Sequence, residues 1–385
     1  MRTGTDTKGR LNKVKVVVCA SSGPALIKRR ELLENLADHG CEVIAAAPFT
    51  DSSLDNVLAR IHGRFIPAPL NPTGINPFHD LRYFQALTNI FRRESPDVVF
   101  CYTHKAVIFG LAAAARAGVR RRVALITGLG FAFIDVIGWK RRVTNFSVRM
   151  LYRWALQKAS LVFFQNVDDK QLFSSLRLLP KDVKSDIVNG SGINLDIFSP
   201  QPIPDGPISF LMLSRLMRDK GLREYARAAA MITARYPGVK CNLAGGVDAN
   251  PAGIPIEEVL DLQRAGHLIY HGDVPDVRPL LKTTSVYVLP SYREGTARSV
   301  LEAMSSGRAI ITTDAPGCRQ TVIPGVNGFL VPIKDSAALA VCMERFIREP
   351  DLATKMGAAS RKIAEERYDV RKVNARILSG LGLSN

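Results

Sequence analysis

"VYVLPSYREGTARSVLEAM", Val286 to Met304, decides the fold. It opens on an apolar run stopped by Pro290, the pattern of a strand buried on both faces of a parallel sheet. A polar loop follows, and a helix is predicted to start near Arg298. Strand, loop and helix in this order form the βα unit of an α/β protein, whose ligands collect beyond the carboxyl ends of the strands. The first N–H groups of the helix have no intrahelical acceptor and form an anion site. Thr296 and Ser299 add hydroxyl donors. Glu302 lies three residues beyond Ser299 on the same face, where a carboxylate can accept both hydrogen bonds of a ribose diol. Glu294 sits in the loop ahead of the anion site. The pattern describes one ligand with two ends: a ribose at Glu302, a diphosphate at the helix start and a polar group at Glu294. The competing reading is an acidic residue favoured by the helix dipole beside a solvated glutamate.

Outward from this stretch the same unit repeats. "VKVVVCA", "CEVIAAAP", "PDVVFCY" and "RRVALIT" read as strands, with helices over 27–39, 79–93 and 106–117. "FSPQPIPDGP", residues 198–207, holds four prolines and reads as a linker. After it come "ISFLMLS", a helix over 221–235, "VKCNLAGG", "GHLIYHG", "VYVLPS", "AIITTD" and "NGFLVP". Alternation of strands and helices implies α/β domains with doubly wound parallel sheets. The expected division is a disordered lead over 1–13, a domain over 14–197, the linker, a domain over 208–369, and a C-terminal segment over 370–385 returning to the first domain. Two such domains are expected to face a central cleft.

Composition narrows the function. The 385 residues carry a formal net charge of +17, which points to a polyanionic partner: nucleic acid, an anionic membrane surface or phosphorylated substrates. The six cysteines include no C-x-x-C pair, which argues against zinc. The lead has no apolar core and does not read as a secretion signal. No apolar run reaches the roughly 18 residues of a membrane span. There is no P-loop, no D-x-D and no complete G-x-G-x-x-G; in "TGLGFAF" Phe133 stands where the third glycine would be. His267 and His271 flank a strand-like run and read as core or loop residues rather than metal ligands.

"LMLSRLMRDKG" places Arg215 and Lys220 after another strand of the second domain. Two cations there can neutralise a diphosphate and stabilise it as a leaving group. With "SRLMRDKG", "LAGG", "GHLIYHGDVPDVRPLL" and "LPSYREGTARSVLEAMSSGRAIITTDAPGCRQTV", the chain resembles the retaining glycosyltransferases of family 4 from about residue 14 to 375. The resemblance implies the GT-B fold, two Rossmann-like domains, and a metal-independent hexosyl transfer from a UDP-sugar, with no cofactor. It implies that Glu294 and Glu302 are the family's paired glutamates and that Arg215 and Lys220 hold the diphosphate. It also implies donor contacts at Gly23, Val274, Gly295, Thr296, Ala297, Arg298, Ser299 and Val300. "THKAVIFG", "ALITGLGFAFID" and "NGSGINLDIF" are similar to a narrower bacterial group that adds N-acetylgalactosamine or a related hexose to a sugar on undecaprenyl diphosphate. From that group His104 is implied near the reacting sugar, with Lys105, Thr127, Gly128, Leu129 and Gly130 on the acceptor side. Gln320 and Asn194 depart from the acids frequent at their positions in the family.

Residues 116–158 hold ten Lys or Arg against one acid, Asp135. Within them "GWKRRVTNFSVRMLYRWALQKAS" reads as a basic helix. Trp139, Val143, Phe146, Met150 and Trp154 recur at helical spacing, with Arg141, Arg142, Arg149 and Arg153 interleaved. Such a helix suits the headgroup region of an anionic membrane or equally a core-packed helix with a basic outer face. The combined expectation is an enzyme in the cytoplasm, peripheral on the inner face of a bacterial cell membrane. It would act on a lipid-diphosphate-linked saccharide and bind no nucleic acid. The alternatives are a non-catalytic nucleic-acid-binding protein and a sugar-nucleotide epimerase of the same fold.

Overall fold

The computed structural model describes residues 13–70, 76–128, 139–248 and 252–383. The expected disordered lead falls, but for Lys13, outside these residues. The chain forms two compact units. One takes the residues up to Val188 together with those from Asn374 onward, and the other is Asn189–Val373. The Pro-rich stretch 198–207 is part of the second unit. Phe198 packs in its core, and the backbone carbonyls of Phe198 and Pro202 accept hydrogen bonds from Ser305 Oγ and Arg308 Nη1 at 2.6 and 3.0 Å. Prolines withhold N–H donors, but their segment's carbonyls still need partners, and these two side chains supply them.

The first unit runs β1 (Lys15–Cys19), α1 (Gly23–Ile27), α2 (Arg30–Asp38), β2 (Glu42–Ala47), α3 (Ser52–Arg60), β3 (Arg64–Pro67), α4 (Pro77–Glu94), β4 (Val98–Tyr102), α5 (His104–Arg116), β5 (Arg121–Ile126), α6 (Trp139–Leu156), β6 (Leu161–Phe164), α7 (Val167–Ser175) and β7 (Lys184–Ile187). The strands form one parallel sheet in the order β3-β2-β1-β4-β5-β6-β7. The helix expected over 27–39 starts three residues later, at Arg30, and "SSGPAL", which reads as a turn, instead opens the short helix α1. Ser22 caps α1 early, its Oγ accepting from Ala25 N, and Pro24 suits the first turn. The chain then breaks at Lys28–Arg29 before α2. The C-terminal helix α14 (Val370–Leu381) joins this unit from Asn374 onward. There Arg376 pairs with both oxygens of Asp186 at 2.6 and 2.7 Å.

The second unit runs β8 (Ser209–Leu213), α8 (Leu222–Arg235), β9 (Lys240–Ala244), α9 (Ile256–Arg264), β10 (Ile269–Tyr270), α10 (Arg278–Lys282), β11 (Val286–Leu289), α11 (Arg298–Ser305), β12 (Ala309–Thr313), β13 (Gly328–Val331), α12 (Ser336–Arg348) and α13 (Asp351–Ile363). Its parallel sheet has the order β10-β9-β8-β11-β12-β13. Both sheets repeat one pattern: the chain steps outward on one side of its first strand, then crosses back to start on the other. Each therefore has a topological switch point, at β1/β4 and at β8/β11. The carboxyl ends of those strands open a crevice between them. The central strands β1, β4, β8 and β11 are almost wholly buried, as their Val- and Leu-rich sequences require.

Candidate active site

In the second unit the crevice at β8/β11 gathers the charged residues. Past β8 the chain makes a 3-10 turn, Arg218–Lys220. The loop after β11 is stitched to it: Tyr292 N and Ser291 Oγ both donate to Asp219 O, at 2.8 and 3.1 Å. This brings Lys220 Nζ to 2.6 Å from Glu294 Oε1, with both side chains about 15% exposed. Desolvation is the largest single influence on the Lys220 ammonium and pulls its pKa down. The charge and hydrogen bond of Glu294 outweigh it, so the net shift is upward. Glu294 is fixed from the other side as well, its N–H donating to Pro316 O at 2.9 Å. Here only glycine fits at 317: its φ is +78°, and a Cβ would lie 1.8 Å from Glu294 O.

α11 begins without a side-chain cap at Ala297 and has no acid in its first turn, so its leading N–H groups keep their affinity for an anion. Arg298 Nε donates to Glu302 Oε1 at 3.1 Å, one turn on. Arg215 is exposed, and its guanidinium pairs with Asp248. The three cations Arg215, Lys220 and Arg298 thus each carry an acid partner. The hydroxyls expected to serve as donors are engaged within the protein. Thr296 Oγ1 donates to Gly295 O at 2.8 Å, and Ser299 Oγ lies 2.7 Å from the buried Tyr287 phenol, which also donates to Leu213 O. Val300 is buried, and Val274 packs half-buried against the same core. The two departures have local explanations. Gln320 Nε2 donates to Gly295 O and Thr296 Oγ1 at 3.4 and 3.3 Å, which an ionised glutamate could not do. Asn194 Oδ1 accepts from the N–H groups of Asp196 and Ile197, the turn-closing role an aspartate would also fill.

The first unit carries its own cluster at β1/β4. Gly23 opens α1, and a Cβ there would press on Phe49 O at 2.8 Å. Ser21 N and Oγ meet Thr103 Oγ1 at 2.9 and 2.6 Å. Thr103 itself has φ +70° and ψ 150°, a region populated almost only by glycine. Such strain costs on the order of 1–3 kcal/mol and collects at functional sites. The next residue, His104, is the first of α5. It is exposed by surface area, yet the protein around it still lowers its pKa by desolvation, so the imidazole is neutral near pH 7. Its Nδ1 is 2.6 Å from the Tyr152 hydroxyl. Lys105 Nζ bonds Asp80 Oδ1 at 2.7 Å. Thr127 and Gly128 follow β5, Gly128 with φ +107°; Leu129 and Gly130 lie outside the described residues.

Sequence reasoning did not single out Asp80, Thr103, Tyr152 or Asp248. Tyr152 carried a signal, since in the basic helix it falls out of phase with the Trp139–Trp154 stripe. Val143, Phe146, Met150 and Trp154 are 41–65% exposed, whereas Tyr152, Ala155 and Leu156 are buried. From Val143 to Trp154 the apolar stripe is therefore not the packed face of α6; the side chains of Trp139 and Arg141 lie outside those described, and Lys158 sits 4.4 Å over the Trp154 ring. Phe78 and Leu81 at the start of α4 are exposed too. Among the described residues no cluster of three His, Cys, Asp or Glu side chains is placed to hold a metal ion, and no helix is long and apolar enough to cross a membrane.

The sequence matches two family models, "Glycosyltransferase Family 4" over residues 30–183 and "Glycosyl transferases group 1" over 194–363. The chain is a family 4 glycosyltransferase of the GT-B fold. It is similar, at 29% identity, to the N,N'-diacetylbacillosaminyl-diphospho-undecaprenol alpha-1,3-N-acetylgalactosaminyltransferase of Campylobacter jejuni; the match covers 91% of this chain and 93% of the relative. It is 27% identical to the UDP-Gal:alpha-D-GlcNAc-diphosphoundecaprenol alpha-1,3-galactosyltransferase of Escherichia coli, over 75% of each chain. Among solved structures, HepE of Anabaena in complex with UDP-glucose matches with a TM-score of 0.73 at 19% identity, covering 96% of this chain and 99% of that one. Sucrose-phosphate synthase of Thermosynechococcus elongatus matches with a TM-score of 0.78 at 20% identity, covering 95% and 98%. These structures share the fold. The two family models, one on each unit, place this glycosyltransferase among enzymes and set aside a non-catalytic nucleic-acid-binding role.

Proposed function

We propose that this glycosyltransferase moves a hexosyl group, with N-acetylgalactosaminyl the first candidate, from a UDP-sugar to a saccharide carried on a polyprenyl diphosphate. The transfer retains anomeric configuration, needs no metal, and serves surface polysaccharide or glycan synthesis at the cytoplasmic face of a bacterial membrane. The observation that carries the reading is the Lys220–Glu294 pair at the β8/β11 crevice beside the uncapped start of α11. The names of the Campylobacter and Escherichia relatives support the acceptor class.

An ammonium has three N–H donors, so Lys220 can keep Glu294 and still reach a phosphate oxygen. With Arg215 and the α11 amides it supplies positive potential where the diphosphate gathers charge on leaving, the role a metal fills elsewhere. Glu302 accepts from the ribose hydroxyls. Glu294 faces the transferred sugar, whose anomeric carbon becomes positive as the bond to the diphosphate breaks, and His104 adds a neutral imidazole. Glu294 holds its charge in the pair with Lys220 rather than as a free nucleophile, so departure of the diphosphate and attack by the acceptor hydroxyl take place on one face of the sugar, the hydroxyl's proton passing to the departing diphosphate oxygen. The exposed stripe of α6, with Arg142 and Arg153 beside it, fits an anionic bilayer from which a polyprenyl acceptor is presented.

The test is transfer from a panel of UDP-sugars in the presence of a chelator, with the new linkage read by NMR. An alpha linkage formed from an alpha donor with metal stripped away supports the reading. Inversion, or strict dependence on added metal, contradicts it.

A further inference from the structure

The helix that carries the exposed stripe also reaches inward to the histidine. His104 and Tyr152 meet edge to face, with ring centroids 6.3 Å apart and planes at 84°, and the phenol oxygen 2.6 Å from Nδ1. Tyr152 is 1% exposed and rests edge-on against Phe173 at 5.4 Å, which in turn rests on Phe164 at 5.3 Å. The imidazole is therefore held at two points. Its backbone is set at the start of α5 by Thr103, itself tied to Ser21, and its Nδ1 is tied to α6. Nε2 is the ring nitrogen left for a substrate.

We propose that Tyr152 is a positioning residue for His104: its hydroxyl holds the imidazole in one orientation and one tautomer, so that Nε2 meets the substrate in a fixed hydrogen-bonding role. The inference rests on the reading of His104 as a group at the reacting sugar. A neutral imidazole has one donor and one acceptor nitrogen, and the bond made by one nitrogen assigns the role of the other. A phenylalanine would fill the same space against Phe173 but leave Nδ1 without a partner and the ring free to change tautomer. A tyrosine suits the task because its hydroxyl stays neutral. Burial, and then the charge of the nearby Asp169 carboxylate, which is itself wholly buried, push its pKa far above the ordinary phenol value.

The test uses the full chain with a UDP-sugar and an undecaprenyl-diphosphate-linked saccharide, in three variants: Tyr152→Phe, His104→Asn and Phe146→Ser. Turnover, donor KM and UDP affinity are measured, together with the long-range proton–nitrogen spectrum of the histidine rings, assigned through the signals lost in His104→Asn. The wild type is expected to show a single His104 tautomer. Tyr152→Phe is expected to average the His104 nitrogen shifts and to lower kcat roughly 3- to 10-fold, the worth of one neutral hydrogen bond, with UDP affinity unchanged. Phe146→Ser, on the exposed face of the same helix, is expected to leave the His104 signals in place. A structural role alone would lower Tm without moving the tautomer. Averaged tautomers in the folded wild type overturn the inference without recourse to any variant. An impaired His104→Asn beside a wild-type Tyr152→Phe overturns the inference alone. A fully active His104→Asn overturns the reading of His104 and this inference with it.

Discussion

Glu294→Gln separates charge from shape at the centre of the proposed donor site. The amide is isosteric and its oxygen can still accept from Lys220 Nζ, now 2.6 Å from Glu294 Oε1. What is lost is the negative charge facing the transferred sugar. In the ground state that charge holds Lys220, and its removal leaves the ammonium freer to bind phosphate, so UDP affinity should change by less than about threefold. In the transition state the anomeric carbon is cationic, and a preorganised group facing developing charge in a partly desolvated site is worth about 2–4 kcal/mol. At 1.36 kcal/mol per decade this is roughly a 30- to 1000-fold fall in kcat. Glu302→Gln should behave in the opposite way. It weakens a charge-assisted hydrogen bond made in ground and transition states alike, costing about 1.5–3 kcal/mol, so UDP affinity and donor KM should suffer about 10- to 150-fold with kcat nearly kept. Calorimetry with UDP and steady-state turnover on both variants read the two patterns. Equal loss of UDP affinity in both variants refutes the division of roles, and full activity in both refutes the site.

Gly317→Ala should abolish turnover and lower Tm, because its Cβ would lie 1.8 Å from Glu294 O at a φ of +78°; a fully active, stable variant would mean that the Glu294 loop is held elsewhere. Replacing Arg142 and Arg153 by Gln should weaken binding to anionic vesicles by about 1 kcal/mol per residue, roughly fivefold each, and Phe146→Ser with Trp154→Ser should weaken it further, with UDP affinity kept; co-sedimentation with anionic and zwitterionic vesicles checks this. Glu94, buried at the end of α4 beside Arg64 of β3, has its pKa lowered first by the Arg64 hydrogen bond. A depressed folded pKa stabilises above the unfolded carboxylate value and is lost as pH falls through the folded one. The Tm of the wild type should therefore drop more steeply below about pH 4.5 than that of Glu94→Gln.

Most strands of the sheet interior were legible because burial on both faces leaves an apolar run: β1, β4, β8 and β11 all read correctly from their apolar residues, whereas the interior strand β6 (LVFF), only four residues long behind the basic helix, was missed. Strands such as β3 (RFIP) and β7 (KSDI) were not legible, since partly exposed edges carry the polar residues that loops also carry. The place of Glu294 and Glu302 around one helix start was legible from the sequence. The pairing of Glu294 with Lys220 was not, because it depends on β8 and β11 lying side by side, in the register Val286 to Phe210, a neighbourhood 74 residues apart in the chain. The α6 stripe shows a different limit. Its period was visible, but period says only that a helix has two faces. Which face the core takes was decided by Tyr152, Ala155 and Leu156, and the stripe of Val143, Phe146, Met150 and Trp154 was left outside.

The central claim is transfer of a hexose onto a lipid-diphosphate saccharide. The direct measurement is mass spectrometry of an undecaprenyl-diphosphate-linked saccharide incubated with the purified chain and UDP-N-acetylgalactosamine, UDP-galactose or UDP-glucose in turn. The account predicts that one donor adds a single hexosyl or N-acetylhexosaminyl mass to the lipid-linked saccharide, releases an equal amount of UDP, and adds nothing when Lys220→Ala replaces the wild type. Conversion of the UDP-sugar to its epimer or to free sugar, with the lipid-linked saccharide unchanged for every donor, would contradict it.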